Sequence, residues 1–330
     1  MILTRTPFRI SFAGGGTDLD IFYKKNKFGK VISSTIDKYL YVMVKKLPSF
    51  VEHKYRINWS KTEFVNSINK IKNPIAREAL KYFKIDYPLE ITTISEIPAQ
   101  TGLGSSSAFA VGLVNALFAL QGQRVSKERI ARTAAYIEIK MLKRFIGKQD
   151  HYASAYGGVN VFTFYKNEKV SVRPLKKIDY KNLRNNISLF FTFKQRNTNA
   201  GSILKKQNLN SDENIDELKN FLKDVDLCEK IISNKKNLDG LGKILDRSWK
   251  FKLKNLKSEN MKQLNATYNK ALRSGAKGGK ILGAGNGGFF LFHSNNKIKK
   301  KLKTSLTKNF YLDFNLENEG TKIILDIDKK

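Results

Sequence analysis

The sequence is poor in the side chains that cross-link a chain or hold transition metals. Among its 330 residues there is one cysteine, Cys228, and there are three histidines, His53, His151 and His293. A single cysteine excludes an intrachain disulfide and a metal cluster held by several thiolates. Three histidines scattered along the chain are too few to predict a zinc site.

The sequence also lacks a long hydrophobic run. Its longest apolar stretch, residues 108–120, is shorter than the about 20 residues that a membrane-spanning helix needs. The chain opens with Met-Ile-Leu-Thr-Arg, without the basic start and apolar centre of a secretory signal. We therefore expect a cytoplasmic protein with no membrane partner.

Acidic residues are scarce. There are 29 of them against 61 lysines and arginines, which gives a formal net charge of +32. This charge alone favours a nucleic-acid partner, and a basic nucleic-acid-binding module is the alternative from another functional class. However, lysines occur along the whole chain, and the basic run 297–303 has apolar residues at helical spacing. With no zinc finger, RNP-like strand or GXXG loop present, we expect no nucleic acid and expect the charge to attract anionic, phosphorylated substrates.

Composition and patterning predict a folded protein of two domains. Hydrophobic residues make up 41% and aromatic residues 11% of the chain, which is enough for a full core, and the length is typical of about two domains. Strand-like and helix-like segments are mixed in both halves, so the predicted fold class is α+β, with domains at 1–183 and 184–330. The predicted strands are 8–13, 31–45, 50–59, 89–94, 159–165, 169–172, 187–193, 289–293, 310–316 and 322–327. The predicted helices are 75–83, 109–120, 126–143, 215–232, 238–249 and 258–273.

The most informative segment is residues 98–108, the serine loop, which reads Pro-Ala-Gln-Thr-Gly-Leu-Gly-Ser-Ser-Ser-Ala directly before the apolar helix. A helix N-terminus has unpaired amides and the positive end of the helix dipole, so it binds anions such as phosphate. Glycines let a phosphate approach the backbone closely. The alternative is an ordinary strand-to-helix turn with serine as the N-cap.

Two further glycine-rich segments accompany the serine loop. A strand-like run from residue 7 ends in Gly-Gly-Gly-Thr-Asp at 14–18, the glycine turn, and Gly-Ala-Gly-Asn-Gly-Gly at 283–288 forms the C-terminal glycine loop. In this order, the three segments resemble the signatures of the GHMP-superfamily small-molecule kinases. The sequence at 5–19, and Gly-Lys-Gln-Asp-His-Tyr-Ala at 147–153 followed by two glycines, are most similar to its heptose 7-phosphate kinase and fucokinase branch.

The resemblance implies a fold and two ligands. The N-terminal domain would resemble domain 2 of ribosomal protein S5, and the C-terminal domain would be ferredoxin-like. ATP with Mg²⁺ and a sugar would meet between them. The residues implied to hold the nucleotide are Gly102, Leu103, Gly104, Ser105, Ser106, Ser107, Gly285 and Gly287.

The resemblance also implies catalytic and sugar-binding residues. Asp150 stands at the position of the family's catalytic aspartate, where a carboxylate takes or orients the proton of the sugar hydroxyl. Arg9 stands at the position of its basic partner, which favours the charged carboxylate. Asp18 would bind sugar hydroxyls beside a backbone surface, which the other residues of the glycine turn would form: Gly14, Gly15, Gly16 and Thr17. The structural alternatives are an Asx-turn for Asp150, a solvent-facing Arg9 and an N-cap role for Asp18.

Ser106 and Glu138 match the family's magnesium ligands. Glu138 would share a helix face with Ala134, Met141 and Leu142, and an acid on an apolar face is costly unless it is paired or binds a metal. A salt bridge to a lysine is the alternative. Two residues depart from the usual pattern of these kinases. Asn286 replaces a glycine but tolerates a left-handed backbone. His151 replaces a glutamine and would contact substrate, pack in the fold or lie at the surface.

The implied reaction is ATP-dependent phosphorylation of the anomeric hydroxyl of D-glycero-D-manno-heptose 7-phosphate, giving a 1,7-bisphosphate for capsule or lipopolysaccharide synthesis. The second phosphate needs a cationic group, for which Arg196 is the first candidate, with Lys280 and Lys277 as others. A kinase for a free sugar such as fucose and an inactive sugar sensor are the alternatives. The oligomeric state stays open, with a homodimer among the options.

Overall fold

The computed structural model describes residues 1–194, 200–207, 209, 212–234 and 237–327. These residues form two β-sheets with helices packed against them, which confirms the α+β prediction. The strands are β1 (Ile2–Ala13), β2 (Phe28–Lys46), β3 (Tyr55–Asn58), β4 (Thr62–Val65), β5 (Leu89–Ser95), β6 (Val159–Tyr165), β7 (Val170–Pro174), β8 (Ile187–Phe191), β9 (Gly279–Ile281), β10 (Phe289–His293), β11 (Phe310–Leu312), β12 (Leu316–Glu317) and β13 (Lys322–Asp326). The helices are α1 (Asp20–Tyr23), α2 (Pro74–Tyr82), α3 (Ser105–Leu120), α4 (Lys127–Tyr136), α5 (Gln149–Tyr156), α6 (Tyr180–Asn185), α7 (Ala200–Lys206), α8 (Asp212–Ser233), α9 (Gly240–Asn255), α10 (Glu259–Arg273) and α11 (Asn296–Ser305). A 3-10 turn spans Ile68–Lys70 and a π-helix spans Ile137–Met141.

The first sheet is built around the long strand β2. Strands β1, β5, β6 and β12 pair with β2, and the main path of the sheet runs β13-β1-β2-β5-β3-β4. On β2 the alternating residues Leu40, Val42 and Val44 are all buried, as their period-two spacing predicts. Helix α3 packs against β1 and β2. Residues of α3 are buried on all sides, which explains why its sequence is apolar without a polar face.

The second sheet has the order β11-β8-β10-β9 and is antiparallel throughout. Its core is aromatic: Trp249 of α9 and Tyr268 of α10 pack against Phe290 and Phe292 of β10. Ring pairs in such edge-to-face and offset contacts stabilise a core beyond their buried area.

Segments that follow the strand β8 of the second sheet also pack on the first sheet. Strands β12 and β13, at the end of the described chain, pair with β2 and β1 of the first sheet. Helix α8 packs on β1 and β2, and its Val225 and Cys228 belong to the large core. The division into domains at 1–183 and 184–330 stays a prediction, and the first sheet includes strands from both ranges.

Several predicted elements are shorter than expected. Of the predicted strand 50–59 only β3 forms, and Phe50 is 87% exposed because this stretch has no partner strand. The predicted strand 310–316 is divided into β11 and β12, which pair with different sheets. The strand expected over 187–193 ends at Phe191, and Phe193 has a left-handed φ of 52°.

Helix α4 begins as predicted but does not continue as predicted. The Ser126 hydroxyl caps it by accepting from the amide of Arg129 at 3.2 Å. The helix then widens into the π-helix, a feature that often marks functional sites. No helix in the part of the chain described here is long and apolar enough to cross a membrane.

Candidate active site

A cavity of about 1100 Å³ lies between the serine loop and the elements that follow β8. Its wall includes parts of the glycine turn, the serine loop and the C-terminal glycine loop, so the three segments that stood far apart in the sequence meet here. Residues from α7 and α9 close the opposite side. A cleft of this size, with polar groups converging on it, fits a small-molecule site.

The serine loop delivers a helix N-terminus to the cavity. Gly104 is the N-cap of α3, with a left-handed φ of 81°, and Ser105, Ser106 and Ser107 form the first turn. Gly104 has no side chain to cap this helix, so the first amides of the helix are suited to bind an anion. A Cβ at Gly104 would lie 3.2 Å from an Asp150 carboxylate oxygen, which makes the glycine a close neighbour of the predicted catalytic residue.

Arg9 and Asp150 form a bidentate ion pair. The Arg9 Nε donates to Asp150 Oδ1 at 2.7 Å and Nη2 donates to Oδ2 at 2.6 Å. The remaining Arg9 nitrogen, Nη1, donates to the Gly102 carbonyl at 2.7 Å, which ties the pair to the serine loop. The Arg9 side chain is only 4% exposed, so the solvent-facing alternative does not describe it. Asp150 lies in the first turn of α5 and is 22% exposed to the cavity side.

Asp18 is held in place by backbone and side-chain amides. Its Oδ1 accepts from the Gly16 amide at 3.1 Å and from Gln149 Nε2 at 3.2 Å, and its Oδ2 accepts from the Gln149 amide at 3.2 Å. Burial, together with the nearby charge of Asp150, raises the pKa of Asp18 to about 6, although the two backbone amides act in the opposite direction. Leu19, and not Asp18, occupies the N-cap position of α1.

Only part of the glycine turn faces the cavity. Gly15, Gly16 and Asp18 line it, whereas Gly14 and Thr17 lie behind the wall. Thr17 Oγ1 contacts the carbonyls of Gly14 at 2.7 Å and Lys30 at 2.8 Å, so this hydroxyl fixes the turn. Gly14 and Thr17 therefore support the turn from behind the cavity wall, and their part in sugar binding stays a prediction.

Glu138 lies in the π-helix and is completely buried. Its carboxylate accepts from the Ser106 hydroxyl and from an Arg144 nitrogen, from the Ser107 hydroxyl at 3.1 Å and from His151 Nε2 at 2.9 Å. Burial raises the pKa of Glu138, but His151, Arg144 and Ser106 outweigh it and hold the value at about 2. The basic partners of this acid are therefore an arginine and a histidine. The alternative prediction was a salt bridge to a lysine.

The donors around Glu138 fit a magnesium ion. The Ser106 hydroxyl and the Glu138 carboxylate converge on one point, which is marked by a nitrogen of Arg144 that donates to both. Hydroxyl and carboxylate oxygens are hard ligands, and Mg²⁺ is commonly held by one or two carboxylates together with substrate phosphates. Within the described chain no cluster of three or more histidine, cysteine or acidic side chains could hold a metal alone, so water and phosphate oxygens would complete the shell.

The C-terminal glycine loop packs against the serine loop. The Phe289 amide donates to the Thr101 carbonyl at 2.9 Å, and a Cβ at Gly288 would overlap that carbonyl. Gly283 and Ala284 line the cavity, whereas Gly285 and Gly287, the two predicted here, are absent from its wall. Gly285 instead faces Leu256 of the second core. Asn286 has a left-handed φ of 60°, the conformation for which asparagine substitutes for glycine.

The three basic residues predicted to bind a second phosphate lie in different places. Arg196 lies outside the described residues. Lys277 is exposed and does not line the cavity, while Lys280 on β9 lines it and is 5% exposed. Lys280 Nζ donates to the Phe12 carbonyl at 2.9 Å. Burial, together with the positive charge of Arg9, lowers the pKa of Lys280 to about 7.

Some residues of the cavity wall were not predicted. Ser11 Oγ and Gln149 Oε1 are buried polar atoms in its lining residues, with no hydrogen-bond partner among the described residues. Ser11 follows Arg9 by two residues on β1, so period-two alternation places both on one face and could have identified it. Arg144 gives no such signal, because it lies in the loop after the π-helix and not on a periodic element. His151 is buried against Glu138, which agrees with the packed alternative.

The chain is similar to known kinases in sequence and in fold. Residues 69–158 match the family described as the GHMP kinases N terminal domain. The D-glycero-alpha-D-manno-heptose 7-phosphate kinase of Campylobacter jejuni is 28% identical to this chain, over 97% of this chain and 98% of that protein. The structure of a D-glycero-D-manno-heptose 1-phosphate kinase from Bacteriodes thetaiotaomicron has a TM-score of 0.78 at 22% identity and covers 99% of both chains. A galactokinase from Lactococcus lactis, complexed with galactose, has a TM-score of 0.72 at 16% identity, over 97% of this chain and 94% of that one.

The fold and the matched domain define a small-molecule kinase class. Residues 69–158 match a GHMP kinases N terminal domain, the family that the three glycine-rich segments resemble, and the chain has the fold of solved GHMP-type kinases along nearly its whole length.

Proposed function

We propose that this protein is an ATP-dependent kinase that phosphorylates the anomeric hydroxyl of D-glycero-D-manno-heptose 7-phosphate. The observation that carries the proposal is the ion pair of Arg9 and Asp150, held against the serine loop at the wall of the cavity. It brings a carboxylate beside the helix terminus at which nucleotide phosphates would bind. The choice of a heptose phosphate is supported by the similarity, along nearly the whole chain, to the Campylobacter jejuni kinase.

The chain supplies positioning and charge for phosphoryl transfer, which needs little else from a protein. The amides of the serine loop and the first turn of α3 would bind the nucleotide phosphates. Ser106 and Glu138 would hold Mg²⁺, which, when bound, neutralises charge on those phosphates. Asp150 would accept the proton of the anomeric hydroxyl or orient it for in-line attack, with Arg9 holding the carboxylate in a fixed orientation.

The sugar would lie against the glycine turn. Gly15 and Gly16 offer a backbone surface without Cβ atoms, and Asp18 offers carboxylate oxygens for vicinal hydroxyls. Ser11 Oγ and Gln149 Oε1 add one hydroxyl and one acceptor whose hydrogen-bonding capacity is unused by the described residues. Because an unpaired buried polar atom is costly, these groups favour a hydroxyl-rich ligand.

The second phosphate of the substrate would bind to Lys280, which, like Arg9, is a buried basic residue of the cavity wall. Arg9 already donates three hydrogen bonds within the protein, whereas Lys280 Nζ has one described partner and, when it is protonated, two further N–H groups to donate. The product, a 1,7-bisphosphate, would serve the synthesis of nucleotide-activated heptose for capsule or lipopolysaccharide in the cytoplasm.

The test is release of ADP from Mg-ATP with three acceptors: the heptose 7-phosphate, the same heptose without phosphate, and fucose. We expect turnover with the 7-phosphate that exceeds turnover with either free sugar by at least tenfold, since a charged hydrogen bond contributes on this scale. Turnover with a free sugar alone would retain the kinase and contradict the phosphate specificity.

A control separates this reaction from the alternative class. Salt-sensitive binding to RNA or DNA, without ADP release from any acceptor, would overturn the kinase proposal and support a nucleic-acid-binding module.

A further inference from the structure

Arg144 stands at the point where the magnesium ligands converge. Its Nη1 donates to Ser106 Oγ at 2.8 Å and also to Glu138 Oε1. These are the two protein oxygens that fit a divalent cation, and one nitrogen atom contacts both of them. A guanidinium nitrogen and a metal ion cannot share that point, because both would need to be in direct contact with the same two oxygens.

Glu138 does not depend on Arg144 alone for its position. Its second oxygen, Oε2, accepts from Ser107 Oγ at 3.1 Å and from the buried His151 at 2.9 Å. These two bonds leave Oε1 in place when Arg144 moves. The carboxylate is thus a fixed ligand, and the arginine is the exchangeable partner.

Arg144 has room to move. Its side chain is about one third exposed, at 32%, in contrast to the fully buried Glu138. It lies in the segment between the π-helix and α5, and this segment lines the cavity. Leaving Oε1 would therefore bring the guanidinium into the cavity, beside the serine loop.

We infer that Arg144 is a substitute cation: it neutralises Glu138 when no metal is bound, and the metal must displace it to reach Ser106 and Glu138. The displaced arginine stays tethered at the cavity wall, where its charge faces the nucleotide phosphates. Arg144 is thereby a positioning residue that couples metal binding to the phosphate site. This inference rests on the proposed function only for the choice of a divalent metal.

The test is a titration of the full-length protein with Mn²⁺, followed by loss of the electron paramagnetic resonance signal of the free ion, without nucleotide or sugar. A charged hydrogen bond contributes about tenfold to a hundredfold to an equilibrium constant. We therefore expect Arg144→Ala to bind Mn²⁺ at least tenfold more tightly than the wild type. Arg144→Lys, which restores a cation, should return the affinity toward the wild-type value.

Two variants serve as controls. Lys143→Ala removes the same charge from the neighbouring position. It should change the Mn²⁺ affinity by less than twofold, because the inference depends on the direct contact of Arg144 with Ser106 and Glu138 and not on the net charge near the site. Arg144→Ala combined with Glu138→Gln should lose the gain, which would assign the bound ion to this carboxylate. A second readout is the melting temperature, which Mn²⁺ should raise more in Arg144→Ala than in the wild type, because only in the wild type must the ion displace the arginine.

The outcomes separate this inference from the proposed reaction. Equal Mn²⁺ affinity in Arg144→Ala and the wild type, or an equal gain in Lys143→Ala, would overturn the inference even if the protein phosphorylates heptose 7-phosphate. Absence of sugar turnover would not change the binding result, because the titration contains no acceptor.

Discussion

Replacing Asp150 with asparagine separates its chemical role from its structural role. Asparagine keeps the shape but presents one oxygen and one NH₂ group to Arg9, so one of the two bonds, at 2.7 and 2.6 Å, becomes a donor facing a donor. A buried charged hydrogen bond is worth about 1.5–3 kcal/mol. Because the Asp150 side chain is 22% exposed, water offsets part of this loss, and we expect a decrease in unfolding free energy of about 1–2 kcal/mol.

The effect on catalysis should be larger than the effect on stability. Loss of a positioned base lowers the rate by ~10²–10⁴-fold, which corresponds to about 3–5 kcal/mol in the activation barrier. The assay is ADP release at saturating ATP and acceptor, alongside a melting curve. Asp226→Asn, the same change at a half-exposed acid paired with Lys30 outside the cavity, is the matched control and should keep full turnover. An Asp150→Asn enzyme with more than one tenth of the wild-type kcat would refute the catalytic role.

Three further changes probe the acceptor side of the cavity. Gly147→Ala should raise the KM for the acceptor at least tenfold with little change in the KM for ATP, because the new Cβ would overlap the Asp18 carboxylate. If the variant and the wild type have the same KM for the acceptor, Asp18 does not contact the sugar. The pKa of Asp18 is raised from 3.8 to about 6, so the buried charge lowers the folding stability above pH 6, and this cost disappears as the pH falls from 6 toward 4. In denaturant titrations, the wild type should therefore lose stability relative to Asp18→Asn as the pH rises from 4 to 6. The same pH dependence in both proteins would contradict the raised pKa. Lys280→Met should raise the KM for heptose 7-phosphate by about tenfold or more and leave the KM of the free heptose unchanged; a uniform effect on both acceptors would remove Lys280 from phosphate recognition.

The sequence predicts the elements that follow from local periodicity. The apolar run before residue 120 appears as the buried helix α3, and alternation at Leu40, Val42 and Val44 appears as the buried face of β2. Elements that depend on a distant partner were harder to predict. The stretch from residue 50 has strand-like composition, but only β3 has a strand to pair with.

In the candidate site, too, the sequence predicts some features and leaves others unpredicted. The glycine-rich segments indicate the resemblance to GHMP kinases because their order is specific, and the cost of burying an acid predicts that Glu138 has partners. The identity of those partners did not follow from the sequence. Arg144 is only six residues from Glu138, but the π-helix and the loop after it break the helical spacing on which a prediction would depend. Arg9 and Asp150 are 141 residues apart, so only the resemblance to known kinases brought them together before the structure did.

Phosphorus-31 nuclear magnetic resonance of the product shows whether phosphate is transferred to the anomeric oxygen. After incubation of the protein with Mg-ATP and heptose 7-phosphate, we expect a second sugar phosphate resonance coupled to the anomeric proton, in proportion to the ADP formed, together with loss of the reducing end. A new phosphate coupled to any other position, or ADP without a new sugar phosphate, would exclude transfer to the anomeric oxygen of heptose 7-phosphate.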